Sequence, residues 1–134
     1  MKNKSALEVF DVWAKTGKDI GMEKGHSKSG DRIIKLASEK VKKRNNELSI
    51  LDIGCGNGWM TRRAGRTFMG SKFLGVDGSR SMIENARNVD TEGDFICKDL
   101  NHWNASNKFD LVISMEVIYY IEDPLSFLTR LCTM

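Results

Sequence analysis

From residue 48 onward, short apolar runs alternate with amphipathic stretches. That alternation predicts strands and helices in turn, the mark of a parallel α/β sheet. The first strand falls at 48–54 (LSILDIG), an apolar run ending at glycine, and a helix follows over 58–68. The second strand, 72–76 (KFLGV), ends at Asp77. Ser79 or Ser81 opens the next helix, and Ser81 with Glu84 matches a capping box. Met82, Ile83 and Ala86 supply the inner face of that helix. A third, weaker strand is expected at 94–97, and the fourth and most apolar at 109–115 (FDLVISM). Asp123 then caps a helix with Pro124 at its first position. Leu125, Leu128 and Leu131 carry that helix toward residue 134.

The N-terminal region follows a different pattern. Leu7, Val9, Phe10, Val12 and Trp13 predict a short amphipathic helix over 5–15. Residues 16–26 (TGKDIGMEKGH) are punctuated by glycine and predict a loop or lid. A helix over 29–44 follows, capped by Ser29 or Asp31, with Ile33, Ile34, Leu36, Ala37 and Val41 as its apolar stripe. Residues 1–47 therefore form N-terminal helices and a lid segment, and 48–134 the α/β core, within one structural domain. Right-handed crossovers place the first three strands in the order 3-2-1. A fourth strand on the other side of strand 1 gives 3-2-1-4. Ligands of such sheets bind beyond the carboxyl ends of the strands, where the order reverses.

Composition narrows the class. A chain of 134 residues, 40% hydrophobic and 29% charged, fits one compact domain. It excludes disordered, collagenous and disulfide-scaffold chains. No apolar run approaches the roughly 20 residues of a membrane helix, and MKNKSALEVF lacks the features of a signal peptide. Cys55, Cys97 and Cys132 are an odd set without metal spacing. They read as reduced thiols in a cytoplasmic protein. The net charge of +3 is unevenly placed: residues 1–47 carry 12 Lys and Arg against 7 Asp and Glu, the rest 9 against 11. Part of the excess is Lys40, Lys42, Lys43 and Arg44. No aromatic residue interleaves that run, so a solvated helix end is favoured over a nucleic-acid surface.

Chemistry concentrates in the loops after the strands. After strand 1 comes Asp52-Ile53-Gly54-Cys55-Gly56-Asn57-Gly58, with glycine at every second position of its second half. Glycine lets the backbone turn sharply and lie against a ligand, and the next helix offers free N–H groups there. The dinucleotide fingerprint would need glycine at 59, which is Trp59. Asp77 lies 19 residues beyond Gly58. It suits a pair of ribose hydroxyls, and its alternative is a turn residue of the Asp-Gly pair. Asp99 and Leu100 follow strand 3, where a carboxylate could meet an exocyclic amine and an apolar side chain a ring face. A plain loop Asp is the alternative.

Together these stretches resemble the class I S-adenosylmethionine-dependent methyltransferases: LDIGCGNG (51–58), GVDGS (75–79), FICKDL (95–100) and FDLVISMEVIYYIEDP (109–124). Residues 10–26 (FDVWAKTGKDIGMEKGH) look like the lid of some small members. The resemblance implies a Rossmann-like doubly wound sheet, methyl transfer from S-adenosylmethionine, and S-adenosylhomocysteine as product. It places Gly54, Cys55, Gly56 and Gly58 around the methionine part, with Asp52 orienting the loop. It places Asp77 on the ribose, Gly78 and Ser79 flanking ribose and adenine, and Asp99 with Leu100 at the adenine. Met115 and Glu116 fall at the methionine end, and Val117, Ile118 and Tyr119 border the methyl. A sulfonium is already a good leaving group, so alignment and exclusion of water are the main tasks.

No catalytic triad is visible. Substrate-side candidates are His26, Glu23, Tyr119, Tyr120 and His102, with His26 and Tyr119 foremost as catalysts. The alternatives are a surface histidine for His26 and packing for the tyrosines. His102 and Trp103 are placed as cover for the adenine, Met22 and Trp13 as core residues, and Cys55 as a small packing side chain without a histidine partner. The expected acceptor is a small molecule; nucleic acid and membrane are not expected partners.

The family's sheet has seven strands, and four are expected here. A truncated chain is one expectation from this difference. Another is a homodimer covering the exposed strand-4 edge. The alternative to catalysis is a cofactor-binding fragment or module that needs a partner or a C-terminal part for activity. A nicotinamide-dependent oxidoreductase is disfavoured by Trp59.

Overall fold

The computed structural model describes residues 5–41 and 47–134. Helix α1 (Ala6–Thr16) opens on Ser5, whose hydroxyl accepts from Glu8 N while the Glu8 carboxylate accepts from Ser5 N at 2.7 Å. This reciprocal capping satisfies two otherwise free donors. The helix ends at Gly17, φ 72°.

The next element corrects two expectations. Residues 16–26 are not a loop: helix α2 spans Ile20–Lys40 and takes in most of the glycine-punctuated stretch. It therefore does not start at Ser29 or Asp31, and Asp31 instead pairs with Arg63, its Oδ2 2.8 Å from Nη2. The reason is packing. The helix face runs on from Met22, which lines a cavity at the carboxyl ends of the strands, and Glu23, 3.4 Å from Arg63, to Gly30 and Ile34 against Trp59 and Met60, where a Cβ on Gly30 would stand 2.9 Å from the Trp59 ring. Burial of this face outweighs the roughly 1 kcal/mol that each glycine costs a helix. The helix also ends before residue 44, at Lys40. Lys42, Lys43 and Arg44 of the basic run lie outside the described residues.

The core follows as β1 (Ser49–Ile53), α3 (Trp59–Thr67), β2 (Lys72–Asp77), α4 (Arg80–Val89), β3 (Asp94–Cys97), β4 (Leu111–Ser114), a 3-10 turn (Ile118–Tyr120) and α5 (Pro124–Leu131). The strands are all parallel, in the order β3-β2-β1-β4. Pairing brings Ile53 beside Val76 and Ser114, and Asp77 beside Cys97, so the strands end together. The fourth strand is shorter than the expected 109–115. Its flanks serve other bonds: Phe109 N donates to Met134 O, and Ser49 N donates to the Asp110 carboxylate at 2.8 Å.

Alternation along β1 divides the interior into two layers. Leu51 and Ile53 pack with Val76, Val117, Ile121 and Phe127 on the α5 side. On the other side Ile113 meets Ile34, Trp59, Met60 and Ala64 of α2 and α3. There α4 adds Ile83 and Ala86 against Phe95 and Cys55. Ser79 caps α4, its Oγ accepting from Met82 N at 3.2 Å, so the expected Ser81–Glu84 box is not the cap. Asp123 caps α5 as expected, accepting from Ser126 N at 3.1 Å. No described helix is long and apolar enough to cross a membrane.

Candidate functional site

A cavity opens at the carboxyl ends of β1, β2 and β4, where the strand order reverses. Its floor is the glycine loop. Gly54, Gly56 and Gly58 all lie in the left-handed region, at φ 72°, 53° and 77°. Gly54 is also sterically obligatory, since a Cβ there would fall 2.1 Å from Val117 Cγ2. Gly56 is different: nothing lies within 4 Å of its Cβ position, and it faces the open cavity.

Asp77 ends β2 at the cavity wall. One carboxylate oxygen accepts from Gly56 N at 2.9 Å, the other from Ser79 N at 2.8 Å. Each oxygen keeps a second lone pair for a ligand. Burial raises the Asp77 pKa, partly offset by these backbone donors. Asp52 lies beneath the loop, fully buried, its carboxylate accepting from Thr61 Oγ1 at 2.6 Å. Burial pushes its pKa up to about 7, against the Thr61 hydrogen bond and with help from nearby Asp77. Cys55 is buried too, and the same environment pushes its thiol well up, so it holds its proton and is no nucleophile.

The cavity gathers most of the residues expected at the site. Gly54, Gly56, Asp77, Gly78, Asp99, Leu100, Met115 and Glu116 line it. A smaller adjoining pocket is lined by Asp52, Cys55, His26 and again Glu116. Two expected residues line neither. Gly58 packs against Phe95, and Ser79 is fully buried with its hydroxyl bonded to Asp11 and Met82 N. Asp99 accepts from Asn101 N at 3.0 Å and pairs with His102 Nδ1 at 2.9 Å, and the histidine holds its carboxyl below the usual range.

The substrate-side candidates separate. His26 is brought to the glycine loop by α2. Glu23 instead pairs with Arg63 at 3.4 Å and lines neither pocket. Tyr120 lines the main cavity. Tyr119 lies on the α5 side and donates its hydroxyl to Glu116. Burial and the Glu116 carboxylate raise its pKa, so this phenol is a donor and not a base near neutrality. Glu116 itself sits at φ 58°. That conformation costs a non-glycine residue about 1–2 kcal/mol, and it turns a carboxylate toward both pockets.

Sequence reasoning missed several cavity residues. Ala6, Leu7 and Phe10 of α1, Met22 of α2, and Met82 of α4 complete the walls. Leu7 closes on Gly78, where a Cβ would meet its Cδ2 at 2.7 Å. The i, i+3 spacing of Leu7 and Phe10 is the one signal that marked this face. Asp11, which bonds Ser79 Oγ and accepts from Ser81 N at 3.2 Å, carried no such signal.

Comparison with known proteins agrees with this fold. A family model described as a methyltransferase domain matches residues 50–134, and the chain belongs to that family. Among curated relatives, the ubiquinone biosynthesis O-methyltransferase of Ruegeria sp. (strain TM1040) is 35% identical over 88 residues, 61% of this chain and 34% of that protein. The malonyl-[acyl-carrier protein] O-methyltransferase of Halalkalibacterium halodurans is 29% identical over 120 residues, 83% of this chain and 44% of that protein. Among solved structures, one matching chain comes from the Haloferax volcanii complex between the Trm112 methyltransferase activator and a methyltransferase. Its TM-score is 0.74 at 31% identity, over 97% of this chain and 55% of that one. The plantazolicin methyltransferase BpumL, solved with S-adenosylhomocysteine, shares the fold at TM-score 0.69 and 23% identity, over 95% of this chain and 54% of that one. The chain thus spans about half the length of these solved relatives and less than half that of the curated ones.

Proposed function

We propose that this chain binds S-adenosylmethionine and forms the cofactor-binding part of a methyltransferase acting on a small-molecule acceptor. The observation that carries the reading is the Asp77 carboxylate, tied to Gly56 N at 2.9 Å on the wall of a cavity that is open above Gly56. These residues fit the cofactor. Asp77 keeps lone pairs for two ribose hydroxyls, and Leu100 stands where a base would lie. Gly54 and Gly56 let the amino-acid end approach the backbone. Asp52, Asp77 and Glu116 suit a ligand with cationic groups. When bound, the cofactor supplies a methyl on a positively charged sulfur.

The chain's own residues align and shield that group. Phe10, Met22 and Tyr120 wall the cavity from water, which strengthens alignment of an acceptor. Where the acceptor must lose a proton, His26 is the group placed to take it, beside Glu116 in the smaller pocket. A second reading is binding without turnover until a partner covers the β4 edge. It is supported by β4 pairing, among the described residues, with β1 alone and by exposed Leu125 and Leu128 on the neighbouring helix. The activator present in the Haloferax volcanii complex points the same way.

Calorimetric titration with S-adenosylhomocysteine tests the binding. A micromolar Kd, about −8 kcal/mol, is expected, with loss of at least about tenfold in Asp77→Ala and no response to NAD. Absence of binding by the parent chain, or equal affinity in Asp77→Ala, overturns the reading. Methyl-transfer assays, with and without candidate partners, separate its two forms.

A further inference from the structure

The glycine loop has little conformational preference of its own. Three glycines at positive φ flank Cys55 and Asn57, and glycine gains the most freedom when unrestrained. The loop's first half is held by β2, where Val76 O accepts from Gly54 N and Cys55 N and the Asp77 carboxylate accepts from Gly56 N; its second half is held at Asn57. Its Nδ2 donates to Asp19 Oδ2 at 3.0 Å and to Asp19 O at 3.3 Å. Its Oδ1 accepts from Trp59 N at 3.2 Å, capping α3 where Gly58 has no side chain to do so. Its carbonyl accepts from Arg62 Nη1 at 2.7 Å.

Asp19 is an unusual residue to find at that place. It lies in the short turn between α1 and α2, and only 2% of it is exposed. Its Oδ2 also accepts from Asn85 Nδ2 of α4 at 3.2 Å, while Asn85 reaches Ala14 O at 3.1 Å. Among the described residues no cation pairs with it, and its Oδ1 has no partner. A buried carboxylate so incompletely satisfied is costly to stability. What it does here is join three elements: the α1–α2 turn, α4 and the glycine loop.

We propose that Asp19 is a positioning residue for the cofactor, fixing the glycine loop through Asn57. Asp19 does not itself line the main cavity; its carboxylate acts through a neighbour. The inference rests on the proposed cofactor site. With the clamp intact, the loop is ordered before ligand arrives, and binding need not supply that order. Without it, the Gly56–Gly58 half of the loop samples other conformations and strains the Gly56 N–Asp77 bond, and affinity falls although every residue lining the cavity remains.

The test compares S-adenosylhomocysteine affinity of the parent with Asp19→Ala, Asp19→Asn and Asn57→Ala, each first shown folded by circular dichroism. Binding by the parent tests the cofactor reading itself; the variants test the clamp. Expected are losses of about tenfold in Asp19→Ala and in Asn57→Ala, with no further loss when they are combined, because the two act as one unit. Asp19→Asn keeps an oxygen for both amides and is expected to bind within about threefold of the parent. Parental affinity in folded Asp19→Ala overturns the proposal. So does an Asp19→Asn protein as weak as Asp19→Ala, which would assign the effect to charge. If Asp19→Ala does not fold, Asn57→Ala decides alone, and parental affinity there has the same consequence.

Discussion

Two alanine substitutions in one loop should fail for different reasons. At Gly54 a new Cβ would meet Val117 Cγ2 at 2.1 Å, well inside the ordinary carbon contact of about 3.5–4 Å. Val117 cannot swing aside, being buried among Leu51, Ile53 and Val76. Overpacking of this kind costs about 1–3 kcal/mol, and the left-handed backbone adds about 1–2 kcal/mol. The sum, about 2–5 kcal/mol, is a large share of the roughly 5–15 kcal/mol that a domain has. Lower freedom of the unfolded chain returns only about 0.4–1 kcal/mol. At Gly56 the backbone cost is similar but the clash is absent. Gly56→Ala is therefore expected to lose only about 1–2 kcal/mol, yet to lose S-adenosylhomocysteine binding, because its methyl stands in the cavity. Urea denaturation reads the first difference and calorimetry the second. Equal stability losses at the two positions would refute the packing argument, and parental affinity in Gly56→Ala would refute the placement of the ligand.

Two further substitutions address charge and capping. The Asp52 carboxyl titrates near 7 when folded and near 3.9 when unfolded. Between those values the folded state keeps a proton that the unfolded state has lost, so this group makes stability fall as pH rises. Asp52→Asn removes that slope, and its urea midpoint should gain on the parent from pH 5 to pH 8; a constant or shrinking difference would contradict the assignment. Asp123→Ala removes the acceptor for Ser126 N and should cost about 1 kcal/mol, read as a lower midpoint without change in ligand affinity.

The parts of this fold legible in the sequence are those governed by local pattern and chain topology. Leu51 and Ile53 alternate with Asp52, and crossover handedness then orders the strands, with no need for coordinates. The glycine spacing and the Asp closing the second strand mark the cavity for the same reason. The α2 helix was illegible because its cause is not local. Gly21 and Gly25 look like breaks until the helix face that carries Glu23 to Arg63 is seen to continue to Gly30 against the Trp59 ring, 29 residues away. Asp11 and Asp19 were illegible in the same way: each meets its partners through contacts between α1, α4 and the glycine loop, and no periodicity encodes such a meeting.

This asymmetry has a consequence for function. The β1–β2–β3 side of the cavity is secured within the chain: Asp77 by Gly56 and Ser79, Asp99 by Asn101 and His102, the loop by Asn57. The β4 side is not. Glu116 is held in a strained conformation by one tyrosine that is itself 60% exposed, and the helix beside it presents Leu125 at 76% exposure. On the proposed function, the groups at the ribose and adenine therefore have their partners in place, whereas those at the methionine end and the acceptor side, Glu116 among them, are less firmly held. Transfer depends far more steeply on alignment than binding does, since a misplacement of about 1 Å can cost on the order of a hundredfold in rate. On the proposed function, cofactor affinity and turnover are thus separable, and covering the β4 edge should change the second far more than the first.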